Sequence, residues 1–208
     1  MSASGVLLLF ACAKSKRGVQ ELLPGQRHVQ ELLSPQVQAV LEEGRRLAFE
    51  RPGVKVYDES PLVPALERYT GGMYRVPGFK ERVVEAISAG VHCLIISAAY
   101  GVVHADEVIH DYEAEIGRTQ GVWRPRLPII LSDYVTRNSI GTVFVGCSKN
   151  YARVLQGADR MGAKVYKCIP DVPARQGAQR KVPKLIGEAI VSLVASKMSP
   201  DSLWKLAV

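Results

Sequence analysis

Continuously apolar runs alternate along this chain with segments that have helical periodicity. Four of these runs predict buried strands, over residues 6–12, 93–98, 142–146 and 164–169. Their hydrophobicity is continuous rather than alternating, which is typical of parallel strands covered on both faces of a sheet. The pattern therefore predicts a buried, mainly parallel sheet.

Helical stripes occupy the segments between the runs. Ser34 and Pro35 predict an N-cap and a first helical residue, and that helix should end near Arg51 and Pro52. Gly71 is expected to end a short helix in the left-handed conformation. The other predicted helices cover residues 61–69, 79–90, 127–138, 148–156 and 183–195. Alternating strands and helices predict an α/β protein with a doubly wound central sheet and helices on both faces.

Length and composition refine this prediction. The 208 residues are 47% hydrophobic, enough for a substantial core, and we expect one α/β domain over residues 1–208.

A net charge of +7 favours an anionic partner such as DNA. A loop-like, basic segment and C-terminal helices follow residue 170. The basic residues form three groups, which would outline a phosphate-binding surface if they converge: Lys14, Lys16 and Arg17; Arg118, Arg124 and Arg126; Arg175, Arg180, Lys181 and Lys184.

Targeting and cofactor signals are weak. The apolar run over residues 6–10 is too short to span a membrane and has no basic segment before it, so we expect a cytoplasmic protein without a membrane partner. The cysteines Cys12, Cys93, Cys147 and Cys168 are widely spaced and include no Cys-x-x-Cys pair. We therefore expect reduced thiols, no metal and no cofactor.

Carboxylates and histidines directly follow the second apolar run. Ligands of open α/β sheets bind outside the carboxyl ends of the strands, so side chains placed there are candidates for chemistry. Asp106, Glu107 and Asp111 form a dense acidic group, and Asp106 is the first choice for a carboxylate that orients water. In the structural alternative, Asp106 caps a turn and Glu107 faces water.

Two strand exits share a Cys-x-Lys pattern. Residues 12–16 (CAKSK) follow the first run and residues 147–151 (CSKNY) follow the third. Small polar residues that lead into a helix start offer backbone N–H groups and a lysine to an anion. The glycine spacing of a P-loop is absent from both. These segments therefore predict phosphate binding, although coincidence of short patterns is an equal alternative.

Several motifs together resemble a bacterial and phage family related to the peroxide-stress protein YaaA. They are residues 12–16 (CAKSK), 64–74 (PALERYTGGMY), 97–103 (SAAYGVV), 106–109 (DEVI) and 111–112 (DY). The resemblance covers roughly residues 5–155, and Ala13 stands where the family usually has Ser. That family is in turn similar in architecture to the uracil-DNA glycosylase superfamily, and one relative of this kind removes glucosylated hydroxymethylcytosine from phage DNA.

The resemblance implies a DNA glycosylase that flips a modified base into a pocket and leaves an abasic site, as an antiviral defence. Asp106 would position water, with Glu107 and Asp111 beside it. The base would be held by Ser97, Tyr100, Gly101, Tyr69, Tyr112, Cys12 and Asn150. The DNA phosphates would be held by Lys14, Lys16, Arg17, Lys149, Arg124 and Arg126.

Three functional alternatives stay open at this point. The chain could be the glycosylase, a noncatalytic DNA-binding stress protein, or an N-glycosidase or base-exchange enzyme that acts on small nucleotides. Within the first alternative, Lys14 or Lys16 could attack the sugar carbon as an amine, although a basic strand exit more often binds phosphate.

Overall fold

A computed structural model describes residues 5–17, 28–157, 162–168, 170, 172 and 177–206 of the chain. Its strands are β1 (Gly5–Ala11), β2 (Lys55–Tyr57), β3 (Val63–Pro64), β4 (His92–Ser97), β5 (Gly101–His104), β6 (Val108–Ile109), β7 (Asp111–Glu113), β8 (Ile140–Gly146), β9 (Lys164–Cys168) and β10 (Trp204–Leu206). Its helices are α1 (Pro35–Phe49), α2 (Ala65–Arg68), α3 (Phe79–Ser88), α4 (Ile116–Trp123), α5 (Leu127–Arg137), α6 (Lys149–Ala152) and α7 (Ala178–Ala195). Arg175 and the side chain of Arg180, predicted to bind phosphate, lie outside the described part.

A six-stranded sheet in the order β10-β9-β8-β1-β4-β5 forms the centre of the fold. Its four inner strands are parallel: β1 pairs with β4 and β8, and β8 pairs with β9. These strands correspond to the four predicted apolar runs, so the mainly parallel sheet is confirmed. The two edge strands, β5 and β10, are antiparallel to their neighbours and were not predicted.

Both faces of the sheet are buried, which explains the continuous hydrophobicity. In β1, Leu8 and Phe10 pack in one core cluster, together with residues of α3 and α7. The alternate residues Leu7 and Leu9 pack in a second cluster with residues of α1, α4 and α5. Because successive side chains of a strand point to opposite faces, a strand between two helical layers must be apolar at every position.

Several predicted helix boundaries agree with the structure. Helix α1 begins at Pro35 directly after Ser34, and α3 and α5 begin at the predicted residues Phe79 and Leu127. Helix α7 starts at Ala178, earlier than predicted, and keeps Pro183 inside it. Helix α4 was missed.

The prediction for Gly71 is wrong. Helix α2 ends at Arg68, and the next residue, Tyr69, is extended at φ −85° and ψ 138°. Gly71 is not among the described residues with positive φ. A Cβ atom on Gly71 would lie 2.4 Å from the Cβ of Ala13, so this glycine permits close packing against the segment that follows β1.

No helix within the described ranges is long and apolar enough to cross a membrane.

Candidate functional site

The topology of the sheet creates a cleft at the carboxyl end of β1. From β1 the chain continues to β4 on one side and later returns to β8 on the other side. Connections that leave a parallel sheet in opposite directions open a crevice at the strand ends, which is where open α/β proteins bind ligands. The segments after β1, β4 and β8 begin at Cys12, Ala98 and Cys147. All three segments contain predicted site residues.

Backbone contacts hold the segment after β1 in place. Lys16 forms an antiparallel bridge with Tyr69, and the amide of Thr70 donates a 2.9 Å hydrogen bond to the carbonyl of Ser15. The amide of Arg17 donates to the carbonyl of Arg68 at 3.0 Å. This segment is therefore a positioned wall of the cleft, built against the residues that follow α2.

Buried hydroxyls form the floor of the cleft. The hydroxyls of Tyr69 and Tyr112 are 2.8 Å apart, and the Ser97 hydroxyl donates a 3.0 Å hydrogen bond to the Tyr112 hydroxyl. The Ser97 oxygen also accepts a 3.0 Å bond from the amide of Tyr100, which fixes the turn after β4. Burial raises the pKa of Tyr69 and of Tyr112 well above the usual value for tyrosine. The sequence placed these residues in one site, and the structure does bring them together.

A second contact links the ends of β1 and β8. The Cys12 Sγ lies 3.0 Å from the hydroxyl of Tyr151, a residue of α6. Burial also raises the pKa of Tyr151 well above its usual range. Lys149 and Asn150 lie on the same short helix and are exposed. The two Cys-x-Lys segments thus lie at the same end of the sheet.

An open pocket of about 420 Å³ lies above Tyr112. Its volume is within the range of small-ligand sites, which is roughly 300–1,000 Å³. Cations and carboxylates both reach it, together with two tyrosines and a serine. The lining residues are Lys14, Lys16, Tyr57, Ser60, Asp111, Tyr112 and Glu113.

Lys16 is the most enclosed cation of this pocket. Its Nζ lies 4.0 Å from the centroid of the Tyr112 ring. Burial lowers the pKa of Lys16, and this effect exceeds the opposing attraction of Cys12 and Asp111. The ammonium is thus stabilised by the face of an aromatic ring, but its neutral form is favoured more than that of an exposed lysine.

Asp111 is positioned by the pairing of β2 with β7. It lies opposite Tyr57 in that antiparallel ladder, and its amide donates a 2.7 Å hydrogen bond to the Ser60 hydroxyl. Its Oδ1 accepts a 2.8 Å bond from the amide of Tyr112. The half-buried carboxylate is therefore held at the pocket by local hydrogen bonds.

Asp106 lies at the other end of the sheet. Strand β5 is antiparallel to β4, so the chain runs back toward the start of β4. There the amide of Ala105, the residue before Asp106, donates a 2.9 Å hydrogen bond to the carbonyl of Cys93. Ser97 is four residues further along β4, about 13 Å away at 3.3 Å per residue. The structure therefore separates Asp106 from the cleft, and its carboxylate contacts the Nδ1 of buried His104.

Glu107 is buried in the same region, which contradicts the structural alternative in which it faces water. Its side chain is only 3% exposed, and its Oε1 lies 3.1 Å from the guanidinium of Arg45. Its Oε2 accepts hydrogen bonds from the amides of Val29 at 2.9 Å and His104 at 3.1 Å. These partners use both oxygens, so Glu107 ties β5 to α1 and to the segment at Val29.

Tyr100 is the last residue of the turn between β4 and β5, and Gly101 is the first residue of β5. Tyr100 is buried edge-on against Tyr112, with ring centroids 5.5 Å apart, and burial raises the pKa of Tyr100 to about 12. Gly101 has φ +75°, and an added Cβ would lie 2.4 Å from the Trp123 ring. The Trp123 indole N–H donates to the carbonyl of Ala98 at 2.9 Å. In the structure both predicted base-binding residues pack within the protein.

Several predicted phosphate ligands have protein partners. Lys14 Nζ is 3.0 Å from Glu115, and Arg17 is 2.8 Å from Glu67. Among the predicted arginines, Arg124 donates to the Gln156 side chain at 2.7 Å, and Arg126 donates to the Val122 carbonyl at 3.0 Å. Exposed pairs of this kind contribute little and exchange readily with a ligand, so they leave phosphate binding possible.

Sequence reasoning missed Tyr57, Ser60 and Glu113. They reach the pocket because β2 and β7 pair across more than fifty residues of chain. Their only local signal was the short alternation of polar and apolar residues at Lys55, Val56 and Tyr57.

Within the described ranges, no cluster of three or more His, Cys, Asp or Glu residues is arranged to hold a metal ion. No protein-family model, no curated protein and no solved structure matches this chain.

Proposed function

We propose that this protein is a DNA glycosylase that hydrolyses the N-glycosidic bond of an extruded modified base, such as glucosylated hydroxymethylcytosine in phage DNA. A doubly wound sheet like that of uracil-DNA glycosylases is part of the proposal. The observation that carries it is the pocket at the carboxyl end of β1, where Asp111, Lys16 and Tyr57 meet. The choice of substrate rests on the strand-exit motifs, which resemble a family that has a modified-cytosine glycosylase among its relatives.

Asp111 replaces Asp106 as the reactive carboxylate in this proposal. Hydrolysis at a sugar carbon requires a carboxylate that orients water and balances the charge of an oxocarbenium-like transition state. Asp111 lines the pocket, and only one of its oxygens accepts a hydrogen bond within the described structure. Asp106 contacts His104 at the opposite end of the sheet.

The reaction then assigns a role to each wall of the pocket. The extruded base stacks on the exposed ring of Tyr57, while the exposed cation Lys14 holds a flanking phosphate. The base departs with the electron pair of the glycosidic bond as Asp111 accepts a proton from the attacking water. The hydroxyl of that water bonds to C1′ and leaves an abasic sugar.

Abasic sites measured with an aldehyde-reactive probe test this function. Purified protein is incubated with unmodified DNA and with phage DNA that carries glucosylated hydroxymethylcytosine. We expect abasic sites only in the modified DNA, and a loss of about 100-fold or more in Asp111→Asn. Asp106→Asn is the matched control and should retain base removal. Binding without abasic sites on either DNA would support the noncatalytic alternative.

A nucleotide N-glycosidase for small substrates is the second candidate. It is favoured by the carboxylate partners of Lys14 and Arg17, which leave less free positive charge beside the pocket. Released base is measured with free nucleotides and with DNA across a range of salt concentrations. A polymer substrate should give a steep salt dependence, whereas a free nucleotide should give a shallow one.

A further inference from the structure

Two lysines line the pocket, and their environments differ. Lys14 is 84% exposed, and its amine is 3.0 Å from the carboxylate of Glu115. Lys16 is half-buried, and its Nζ donates a 3.3 Å hydrogen bond to the carbonyl of Lys14. In the part of the chain that the structure describes, no carboxylate lies within 4.0 Å of the Lys16 amine. Lys14 is thus a paired surface cation, whereas Lys16 is an enclosed amine.

Several features of the site suit Lys16 to act as a nucleophile. An amine attacks carbonyl carbon only in its neutral form, and enclosure in a partly desolvated site favours that form. Burial lowers the pKa of Lys16, and the nearby guanidinium of Arg68 lowers it further. The bridge with Tyr69 fixes the backbone of Lys16, and the Tyr112 ring lies against its amine. The nucleophile is therefore positioned as well as activated.

We infer that the protein is also a lyase, in which the Lys16 amine attacks C1′ of the abasic sugar and cleaves the DNA strand on its 3′ side. This inference rests on the proposed function, because base removal in this pocket would generate the abasic sugar beside Lys16. It goes beyond hydrolysis because the enzyme forms a covalent bond with its product.

The chemistry balances without an oxidant or a reductant. The ring-opened abasic sugar presents an aldehyde at C1′, and the neutral Lys16 amine adds to it. Water leaves and the nitrogen takes up a proton from the solvent, which forms a protonated imine. A base removes a proton from C2′, and the C3′–O bond breaks, so the 3′ phosphate leaves with the electron pair. Water then hydrolyses the imine and regenerates the free amine.

Carboxylates of the same pocket can accept the C2′ proton. Asp111 and Glu113 both line it, and both are close enough to Lys16 to influence its charge. A carboxylate beside the imine also stabilises its positive charge. The pocket therefore contains both groups that the elimination requires.

Reductive trapping tests the inference independently of base removal. The full-length protein is mixed with synthetic DNA that already contains an abasic site, in the presence of cyanoborohydride, which reduces the imine to a stable amine. We expect a covalent protein–DNA complex, and peptide mapping should locate the adduct at Lys16. DNA that carries a tetrahydrofuran in place of the abasic sugar has no aldehyde and should give no complex.

Matched variants complete the test. Lys16→Arg keeps the positive charge but lacks a reactive amine, so trapping and strand cleavage should be lost. Lys55→Gln removes an exposed lysine of β2 that does not line the pocket, and it should leave trapping in place. An adduct mapped to Lys14 or to another lysine, or no adduct in the wild-type protein, would overturn the inference. Because the abasic site is supplied ready-made, failure of the glycosylase proposal would appear separately, as intact modified DNA.

Discussion

Two regions of this protein contain acidic residues near the ends of the central sheet, and they differ in how many of their polar groups already have partners. At the amino end of β4, Glu107 binds Arg45 and two backbone amides with both oxygens. At the carboxyl end of β1, Asp111 and Lys16 face an open pocket. The first region connects elements of the fold, and the second presents polar groups to a ligand.

The difference shows that a high density of acidic residues in the sequence does not by itself identify a catalytic site. Asp106 and Glu107 follow an apolar run in sequence, as a catalytic pair would, yet their partners are protein groups. Asp111 lies only a few residues further and reaches the opposite end of the sheet. Whether a carboxylate is available for chemistry depends on what its oxygens already bind.

The largest expected effect on stability is that of Glu107→Ala. It leaves the partly buried guanidinium of Arg45 without its carboxylate and two amides without an acceptor. Breaking a buried ion pair costs about 3–5 kcal/mol. Urea denaturation should show this loss, and the exposed pocket residue Glu113, changed to Ala, should cost less than about 0.5 kcal/mol. Equal losses of stability in Glu107→Ala and Glu113→Ala would contradict the view that only the first region connects elements of the fold.

Gly101→Ala tests the turn that separates the two regions. The added methyl group would overlap the Trp123 ring, and φ +75° is unfavourable for alanine. A loss of about 1–3 kcal/mol is expected from overpacking and backbone strain together. Gly117 in α4 has open space around it, so Gly117→Ala should stabilise the protein by roughly 0.5–1 kcal/mol. Thermal unfolding compares the two variants.

Tyr112→Phe tests the hydroxyl floor of the pocket. It removes a group that contacts both Tyr69 and Ser97, and an internal hydrogen bond contributes about 1 kcal/mol. Tyr57→Phe, at a residue that is 40% exposed, should change stability by less than about 0.5 kcal/mol. Denaturation of both variants in urea measures the difference, and a neutral Tyr112→Phe would show that the floor adds no stability.

The buried Tyr112 hydroxyl should also make the stability of the folded protein depend on pH in the alkaline range. Burial raises the pKa of Tyr112 well above the usual value for tyrosine, whereas an unfolded tyrosine ionises near pH 10. Above that pH the unfolded chain has lost a proton that the folded chain keeps, so stability falls as pH rises, by at most about 1.4 kcal/mol per pH unit.

Tyr112→Phe should flatten this decline in denaturation experiments between about pH 9 and 11. Lys16 acts in the opposite direction, because its pKa is lowered from 10.5, and stability therefore rises as the unfolded lysine loses its proton. Both proteins in this comparison retain Lys16, so its contribution cancels. Identical pH profiles would indicate that Tyr112 ionises as readily in the folded protein as in the unfolded chain.

Much of the fold could be predicted because its signals are local. Each inner strand of the sheet is a continuous apolar run, and helix α1 starts at a Ser-Pro pair. The antiparallel strand β5 was missed because its Gly-Val-Val-His sequence follows a turn and resembles a loop. Its pairing with β4 has no distinct local pattern in the sequence, and that pairing decides where Asp106 lies.

The candidate site was predictable in part for the same reason. Lys14, Lys16, Ser97 and Tyr112 were identified from strand exits and motifs, and the structure places them around one cleft. The pairing of Tyr57 with Asp111 joins residues that are distant in sequence, and no spacing rule connects them. Lys14 and Lys16 were equivalent candidates until the exposure and the partners of each amine separated them.

By itself, the sequence determined the layers of this protein, because the hydrophobic effect acts through the periodicity of neighbouring residues. It also determined which strand exits carry polar side chains. Only the tertiary structure decided which of those side chains remain available to a ligand. Contacts with α1 and with the segment at Val29 occupied the oxygens of Glu107, and the pairing of β2 with β7 left Asp111 at the pocket beside Lys16. That outcome depends on long-range contacts, which the local pattern of residues does not encode.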